Sequence, residues 1–231
     1  MLSKNDIKLI KSLEHKKYRD REGLFVAEGC KVVRELQKTF EMVAYYDDPA
    51  EVSRLSFLRH PQDVLAVFRI KQPTADDQHV QSVAPSPDSL VIALDRVQDP
   101  GNMGTIIRVA DWFGVDTILC SEDTADVWNP KVVQATMGSL ARVEVTYTDL
   151  ISTIRQYEGP VYGTFLDGKN IYDTELNSNG IIVFGNEGNG ISPELRKEIS
   201  RRLLIPATRE GAESLNVAIA AAITLAEFRR R

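Results

Sequence analysis

The sequence contains few of the residues that build metal centres or disulfide frameworks. Among its 231 residues are two cysteines and three histidines, scattered along the chain. Cys30 and Cys120 form no Cys-x-x-Cys pair, and no histidine has an acidic or cysteine partner at ligand spacing. The sequence therefore predicts chemistry without a metal ion, a reducing compartment and two ordinary buried cysteines.

Long apolar runs are also missing. No stretch approaches the roughly 20 apolar residues of a membrane-spanning helix, and the N-terminal segment has no apolar core followed by a small-residue cleavage site. A content of 43% hydrophobic and 26% charged residues is typical of a globular protein. It argues against a disordered, collagen-like or coiled-coil chain. We therefore expect a cytoplasmic protein.

Charge is unevenly distributed along the chain. The formal net charge is −5, which argues against nucleic-acid binding because Lys and Arg supply most of the affinity for phosphate. Basic residues nevertheless outnumber acidic ones from Lys4 to Lys38, whereas the region from Asp47 to Asp126 is strongly acidic. On charge alone, a solvated helix face is the simpler interpretation of the basic segment.

A loop-like stretch separates two differently patterned halves. Residues 73–89 contain three prolines and few large apolar residues, which is typical of a linker. Upstream, helical spacing of apolar residues and strand-like runs at 24–27 and 64–68 predict a small α/β module. We therefore divide the chain into residues 1–72, a linker over 73–89, and residues 90–231.

The second half alternates short apolar runs with helical patterns. This alternation predicts a mostly parallel sheet covered on both faces. The predicted strands are Leu90–Leu94, Thr117–Cys120, Val143–Tyr147, Val161–Phe165, Ile181–Phe184 and Leu203–Ile205. After the first strand, Asn102 is a candidate N-cap for a helix that Gly114 can end. Ser192 is a candidate cap for a later helix, and a last, alanine-rich helix is predicted over 215–228.

Three polar, glycine-containing loops follow predicted strands. Ligands of parallel α/β sheets bind at the carboxyl ends of the strands, so these loops form the candidate site. They are DRVQDPGNMGTIIR at 95–108, FGNEGNGISP at 184–193 and LIPATREGAESLNVAIA at 204–220. The glycine spacing of the second loop differs from the dinucleotide fingerprint. Taken singly, Asn102, Ser214 and Asn216 are explained as helix caps, whereas Glu187 is an unusual carboxylate between glycines.

Together, the loops resemble the signature motifs of the SpoU, or TrmH-like, branch of the SPOUT RNA methyltransferases. The pattern D-x-x-x-D-P-x-N-x-G-x-I-x-R is matched from Asp95 to Arg108, and the other two motifs read FGNEGNGIS and IPATREGAESLNVAIA. Upstream, FVAEGCKVVRE at 25–35 resembles the start of the L30e-like RNA-binding domain that often precedes this catalytic domain. The resemblance covers nearly the whole chain, and it favours RNA docking for the basic N-terminal segment.

This resemblance implies a fold and an activity. The expected fold is an L30e-like α/β domain followed by an α/β-knot domain, whose mostly parallel sheet contains a trefoil knot, in a homodimer. The expected reaction is transfer of a methyl group from S-adenosylmethionine to a ribose 2′-hydroxyl of RNA, with ribosomal RNA preferred over transfer RNA.

The resemblance also implies which residues form the site. Those expected to hold the cofactor are Thr164, Gly185, Leu204, Ile205 and Leu215. Those expected to act on the substrate are Asn102, Arg108, Glu187, Ser214 and Asn216. A ribose hydroxyl is a weak nucleophile at neutral pH, so the site must align it and take up its proton. Arg108 is expected either to accept that proton or to bind the adjacent phosphate and offset charge in the transition state.

The third loop departs from the family pattern. The segment between Pro206 and Ser214 is one residue longer than usual, and Ala207 stands where the family has methionine. The backbone that contacts the cofactor can therefore shift between Leu204 and Ile205.

Two functions of other classes remain open. A non-catalytic RNA-binding factor would keep the fold and the basic face, but the intact set of Asn102, Arg108, Glu187 and Ser214 argues against it. A nucleotide-dependent metabolic enzyme of flavodoxin-like architecture is less favoured, because neither a Walker loop nor the dinucleotide fingerprint is present.

Overall fold

The computed structural model describes residues 2–71, 85–209 and 214–230. Its first segment contains an antiparallel sheet of order β1-β3-β2, which confirms the small α/β module. The strands are β1 (Leu24–Glu28), β2 (Met42–Tyr46) and β3 (Leu65–Arg69), and the helices are α1 (Lys4–Ser12), α2 (Lys16–Glu22), α3 (Cys30–Leu36) and α4 (Pro49–Leu55). Most of the predicted linker lies outside the described residues, so the domain division at 73–89 stays a prediction.

A parallel sheet of order β6-β5-β4-β8-β7-β9 forms the second half. Its strands are β4 (Leu90–Leu94), β5 (Thr117–Cys120), β6 (Glu144–Tyr147), β7 (Val161–Asn170), β8 (Gly180–Phe184) and β9 (Arg201–Leu204). Its helices are α5 (Pro100–Trp112), α6 (Pro130–Ala135), α7 (Leu150–Arg155), α8 (Pro193–Arg196) and α9 (Val217–Arg229). Strands β4 and β8 are buried along their whole length, as expected for a parallel sheet covered on both faces. The predicted α/β class, with a parallel sheet preceded by a small α/β module, is confirmed.

Helix α5 begins earlier than the sequence predicted. The N-cap is Asp99 and not Asn102, because the Asp99 carboxylate accepts a hydrogen bond from the backbone N–H of Asn102 at 2.8 Å. Pro100 fits the first helical position, where its missing N–H costs nothing. Gly114 follows the helix with a φ of +64°, as predicted. Ser192 occupies the N-cap position of α8, but its side chain makes no capping hydrogen bond.

Two other predictions need correction. Strand β9 ends at Leu204, so Ile205 lies outside it, and β7 runs on past the predicted strand with an irregular register. Within β7, both Thr164 and Lys169 pair with Leu203, which means that the residues between them bulge out of the sheet. Cys30 is exposed because it begins α3 on the side away from the core, whereas Cys120 is buried as predicted.

The two halves of the chain share a hydrophobic core. Trp128, in the loop after β5, lies against Phe25 and Phe40 of the first half, with ring centroids 4.6 and 5.6 Å away. Arg19 of α2, only 2% exposed, donates from Nε to Asp126 in the same loop at 3.1 Å. The first half is therefore docked firmly beside the carboxyl edge of β5.

A second contact joins the halves at α3 and the residues that follow it. Arg142 donates to Glu35 of α3 at 2.8 Å and to Asp111 of α5 at 2.7 and 2.8 Å. The Thr39 hydroxyl donates to the backbone carbonyl of Ala141 at 3.0 Å. Two separate polar contacts and one continuous core thus fix the relative orientation of the halves.

We predict that Asp126→Ala destabilises the whole chain. It leaves the buried Arg19 guanidinium with only the carbonyls of Leu13 and Glu14 as acceptors, so the free energy of unfolding should fall by about 3 kcal/mol. Urea denaturation should show one transition shifted to lower concentration. The control is Glu41→Ala, which breaks the exposed pair with Arg69 and should cost less than about 1 kcal/mol. Equal losses of unfolding free energy in the two variants would contradict the conclusion that the pair of Arg19 and Asp126 holds the two halves together.

Candidate active site

The three loops predicted from the sequence meet at one edge of the parallel sheet. Asp95 follows β4, Gly185 follows β8 and Ile205 follows β9. Strands β4 and β8 are neighbours, and β7 lies between β8 and β9. Because all pairs in this sheet are parallel, the carboxyl ends of these strands lie at the same edge.

A chain of hydrogen bonds joins one residue from each loop. The Asn102 amide donates from Nδ2 to Glu187 Oε1 at 3.0 Å. Its Oδ1 accepts a hydrogen bond from Asn216 Nδ2 at 2.9 Å. Asn216 also caps α9, because its Oδ1 accepts from the backbone N–H groups of Ala218 and Ile219. The structure thus brings Asn102, Glu187 and Asn216 together as the sequence predicted, and capping explains only part of what Asn216 does.

The Glu187 carboxylate is held in its ionised form. Partial burial raises its pKa, but hydrogen bonds from Asn102 and from the backbone N–H groups of Asp99 and Gln98 outweigh that effect and keep the pKa below its usual range. The carboxylate also lies beside the N-terminus of α5, where negative charge is favoured. Its acceptor positions are largely used, so it is better suited to orienting Asn102 than to taking up a proton.

Two further residues shape the loops, and sequence reasoning gave them no role. Asp95, 4% exposed, accepts a hydrogen bond from the backbone N–H of Ser192 and so ties the first loop to the second. Asn186 donates to the backbone carbonyl of Arg96 at 2.8 Å, and its Oδ1 accepts from the N–H groups of the two residues that follow Glu187. The available signal was a polar residue one or two positions after a buried strand.

Helices α5 and α9 lie side by side and are joined at both ends. Asn102 and Asn216 connect their N-termini, and at the other end Arg229 donates to the carbonyls of Phe113 and Gly114 at 2.8 Å. The two helices therefore run in the same direction. This pairing places the start of α9 beside the start of α5, which is what positions the third loop.

Arg108 does not join the hydrogen-bonded chain. It is exposed on α5, about 120° around the helix from Asn102, and it makes no hydrogen bond or ion pair with the described residues. Trp112, one turn further on the same face, is 84% exposed. The six-residue spacing itself predicts this separation once the helix is assigned, because six steps of about 100° turn Arg108 away from Asn102.

Four of the residues expected to hold the cofactor lie at the carboxyl edge of β8, β7 and β9, and the fifth, Leu215, lies just before α9. Gly185 is buried, Thr164, Leu204 and Ile205 are half-buried, and Leu215 is 50% exposed. Ser214, expected to act on the substrate, is exposed. Residues 210–213 of the longer third loop lie outside the described residues, so the expected shift between Leu204 and Ile205 stays a prediction.

Two findings concern membrane-spanning helices and metal sites, neither of which the sequence predicts. None of the described helices is long and apolar enough to cross a membrane. Over residues 2–71, 85–209 and 214–230, no three histidine, cysteine or acidic side chains are grouped closely enough to hold a metal ion.

Comparison with known proteins places the loops in a family context. Residues 89–226 match the SpoU rRNA Methylase family, and residues 4–67 match the MRM3-like substrate binding domain. The chain is 30% identical to the 23S rRNA (guanosine(2553)-2′-O)-methyltransferase RlmP of Bacillus subtilis, with 95% of this chain and 94% of the relative covered. It is 31% identical to the 23S rRNA (guanosine-2′-O-)-methyltransferase RlmB of Neisseria meningitidis, with 62% and 58% covered.

Solved structures share the fold over the whole chain. A TrmH-family protein from Porphyromonas gingivalis superposes with a TM-score of 0.88 at 40% identity, covering 100% of this chain and 99% of the other. The AdoMet-bound rRNA methyltransferase from Sinorhizobium meliloti gives a TM-score of 0.86 at 29% identity, covering 100% and 97%. The similarity therefore includes both halves and their relative placement.

We predict that Gly185→Ala weakens cofactor binding by distorting the second loop. A Cβ at Gly185 would lie 2.2 Å from the backbone of Gly190 and Ile191, so the loop would have to move. Calorimetry with S-adenosylmethionine should show at least a tenfold loss of affinity, and the melting temperature should fall. The control is Gly188→Ala, whose Cβ would meet only the Asn186 side chain at 3.6 Å. Unchanged binding by the Gly185 variant would remove this loop from the cofactor site.

Proposed function

This chain belongs to the SpoU rRNA methylase family and is an RNA ribose 2′-O-methyltransferase that uses S-adenosylmethionine. On that premise we propose which RNA it modifies, which residues bind the cofactor and which residues bind the substrate. The observation that carries the proposal is the hydrogen-bonded chain Glu187–Asn102–Asn216. It links the three family motifs at one point of the sheet edge.

Ribosomal RNA is the proposed substrate. The relatives RlmP and RlmB are named as 23S rRNA methyltransferases. The first half of the chain matches a substrate-binding domain and carries the basic segment from Lys4 to Lys38. A cytoplasmic location belongs to the same proposal, because an enzyme that acts on ribosomal RNA meets its substrate there.

The cofactor would be held at the ends of β8, β7 and β9 by Thr164, Gly185, Leu204, Ile205 and Leu215. The residues fit the adenosine of S-adenosylmethionine, since half-buried apolar side chains and backbone at the ends of neighbouring strands suit a flat ring without a phosphate. When bound, S-adenosylmethionine supplies an electrophilic methyl group.

Asn102 is the residue proposed to align the substrate. Its Oδ1 and one N–H are used by Asn216 and Glu187, which leaves the second N–H of the amide for a ribose or phosphate oxygen. Glu187 is a positioning residue that fixes the amide orientation. Ser214 is exposed next to Asn216, where its hydroxyl can reach the substrate.

Arg108 is proposed to bind the phosphate next to the acceptor ribose. Its guanidinium is exposed and makes no ion pair with the described residues, so it is available to an anion. A guanidinium stays protonated in proteins, which favours charge stabilisation over proton acceptance. The fork of N–H groups matches two phosphate oxygens at once.

A second copy of the chain is the proposed partner of the outer face of α5 and α9. Trp112 is 84% exposed, Ile219 is 52% exposed and Leu215 is 50% exposed, although such side chains are usually covered. Arg108 lies on this face, so a homodimer would bring it near residues of the other protomer. The trefoil knot belongs to the same proposal, because residues 210–213 lie outside the described residues.

We predict that Arg108→Ala removes most methyl transfer and leaves S-adenosylmethionine affinity nearly unchanged. Partial rescue by Arg108→Lys is expected if the residue neutralises phosphate as a simple charge, and no rescue if two-point geometry is required. The measurement is single-turnover transfer to ribosomal RNA from cells that lack the protein, with bulk transfer RNA as the comparison substrate. Wild-type rates in Arg108→Ala would refute the assignment, and faster transfer to transfer RNA would refute the substrate.

A further inference from the structure

A pocket of about 290 Å³ lies at the junction of the two halves. Its walls include Lys16, Arg19, Asp20, Lys71, Trp128 and Tyr147. Tyr147 is the last residue of β6, so the pocket lies at the same carboxyl edge as the three loops. In the sheet order, β6 is two strands from β4 and three from β8. At about 4.8 Å per strand, the pocket is roughly 10–15 Å along the edge from the contact between Asn102 and Glu187.

The charge of this junction pocket differs from that of the whole chain. The carboxylate of Asp126 is already neutralised by the buried Arg19. Lys16 is exposed and pairs with Asp20 at 3.0 Å, an ion pair on the surface that exchanges easily for another anion. Lys71 is exposed and forms no ion pair with the described residues. The Lys71 amine also lies over the Phe40 ring, 5.5 Å from its centroid, a contact that leaves its N–H donors free for an anion. The amines of Lys16 and Lys71 can therefore meet a phosphate, although the chain carries a net charge of −5.

The aromatic rings of the pocket are held in place. Trp128 is fixed against Phe25, with centroids 4.6 Å apart, and remains partly exposed. The Tyr147 hydroxyl accepts from the backbone N–H of Val127 at 2.8 Å and donates to the carbonyl of Ala125. Fixed aromatic rings beside amines form the combination that binds unpaired nucleotides, since bases stack on the rings and phosphates meet the charges.

We propose that the junction pocket binds one unpaired nucleotide of the RNA substrate, with its base against Trp128 and Tyr147 and its phosphate at Lys16 and Lys71. This inference rests on the proposed RNA substrate and adds a second contact away from the acceptor ribose. Because the pair of Arg19 and Asp126 and the shared core fix the two walls, the distance between the pocket and the three loops is constant. The pocket would therefore select which nucleotide reaches the cofactor.

Trp128 provides a direct reporter for this inference. The chain has two tryptophans, so Trp112→Phe leaves Trp128 as the single source of tryptophan emission. Titration with a single-stranded RNA oligonucleotide of mixed sequence should quench that emission to saturation. Emission that stays constant at saturating RNA, with binding verified by filter retention, would overturn the inference.

A matched pair of charge reversals tests the amines. Lys71→Glu should weaken binding of the same oligonucleotide about tenfold and reduce its logarithmic salt slope by about 0.7. Lys197→Glu, an exposed lysine that does not line the pocket, makes the same charge change and should alter neither quantity. Both variants should keep wild-type affinity for S-adenosylmethionine, which shows that they fold. Equal RNA affinities and salt slopes in the two variants would refute the pocket.

Methyl transfer by the wild-type protein reports separately on the proposed function. Transfer to ribosomal RNA without either pocket effect means that the function is right and the pocket is wrong. If RNA quenches the Trp128 emission and Lys71→Glu weakens RNA binding, but the wild-type protein transfers no methyl group, the pocket is supported and the proposed substrate or activity is contradicted.

Discussion

The orientation of one amide side chain, that of Asn102, connects the parts of the site. The Asn102 amide accepts a hydrogen bond from Asn216 and donates one to Glu187, so motifs far apart in sequence meet in a single hydrogen-bonded chain. Amide hydrogen bonds are directional, and the negative charge of the Glu187 carboxylate strengthens the one that it accepts, which in turn lowers the pKa of Glu187. The position of the third loop follows from this contact and from the pairing of α5 with α9, because residue 216 is also the N-cap of α9.

Docking of the two halves extends the same constraint to the N-terminal module. Trp128 and Asp126 belong to the loop after β5, yet their partners Phe25, Phe40 and Arg19 belong to the N-terminal module. A module held by a buried ion pair and a shared core cannot change its distance from the sheet edge without breaking them. If the junction pocket binds RNA as proposed, selection of a nucleotide depends on fixed geometry more than on loop closure.

Much of the site could be predicted from the sequence, because local signals marked it. Strands β4 and β5 were predicted with their observed bounds, and the polar loops after buried strands met where a parallel sheet places them. Strand β2 was missed because its side chains are mostly exposed, which removes the apolar pattern. The N-cap was misplaced by three residues because Asp99, Asn102 and the intervening proline all suit the start of a helix. Contacts such as Arg19 with Asp126 join residues more than a hundred positions apart and leave no local pattern.

The most direct test of this account is a double-mutant cycle of Glu187→Ala and Asn216→Ser, read by single-turnover methyl transfer to ribosomal RNA. Serine keeps an N-cap for α9 but loses the amide donor, so helix stability changes little. If Asn102 is oriented by both partners, each variant should slow transfer at least tenfold, and the double variant should lose little more. The expected interaction energy is about 1–3 kcal/mol. Effects that add to within about 0.5 kcal/mol would show that the two residues act independently and would contradict the account.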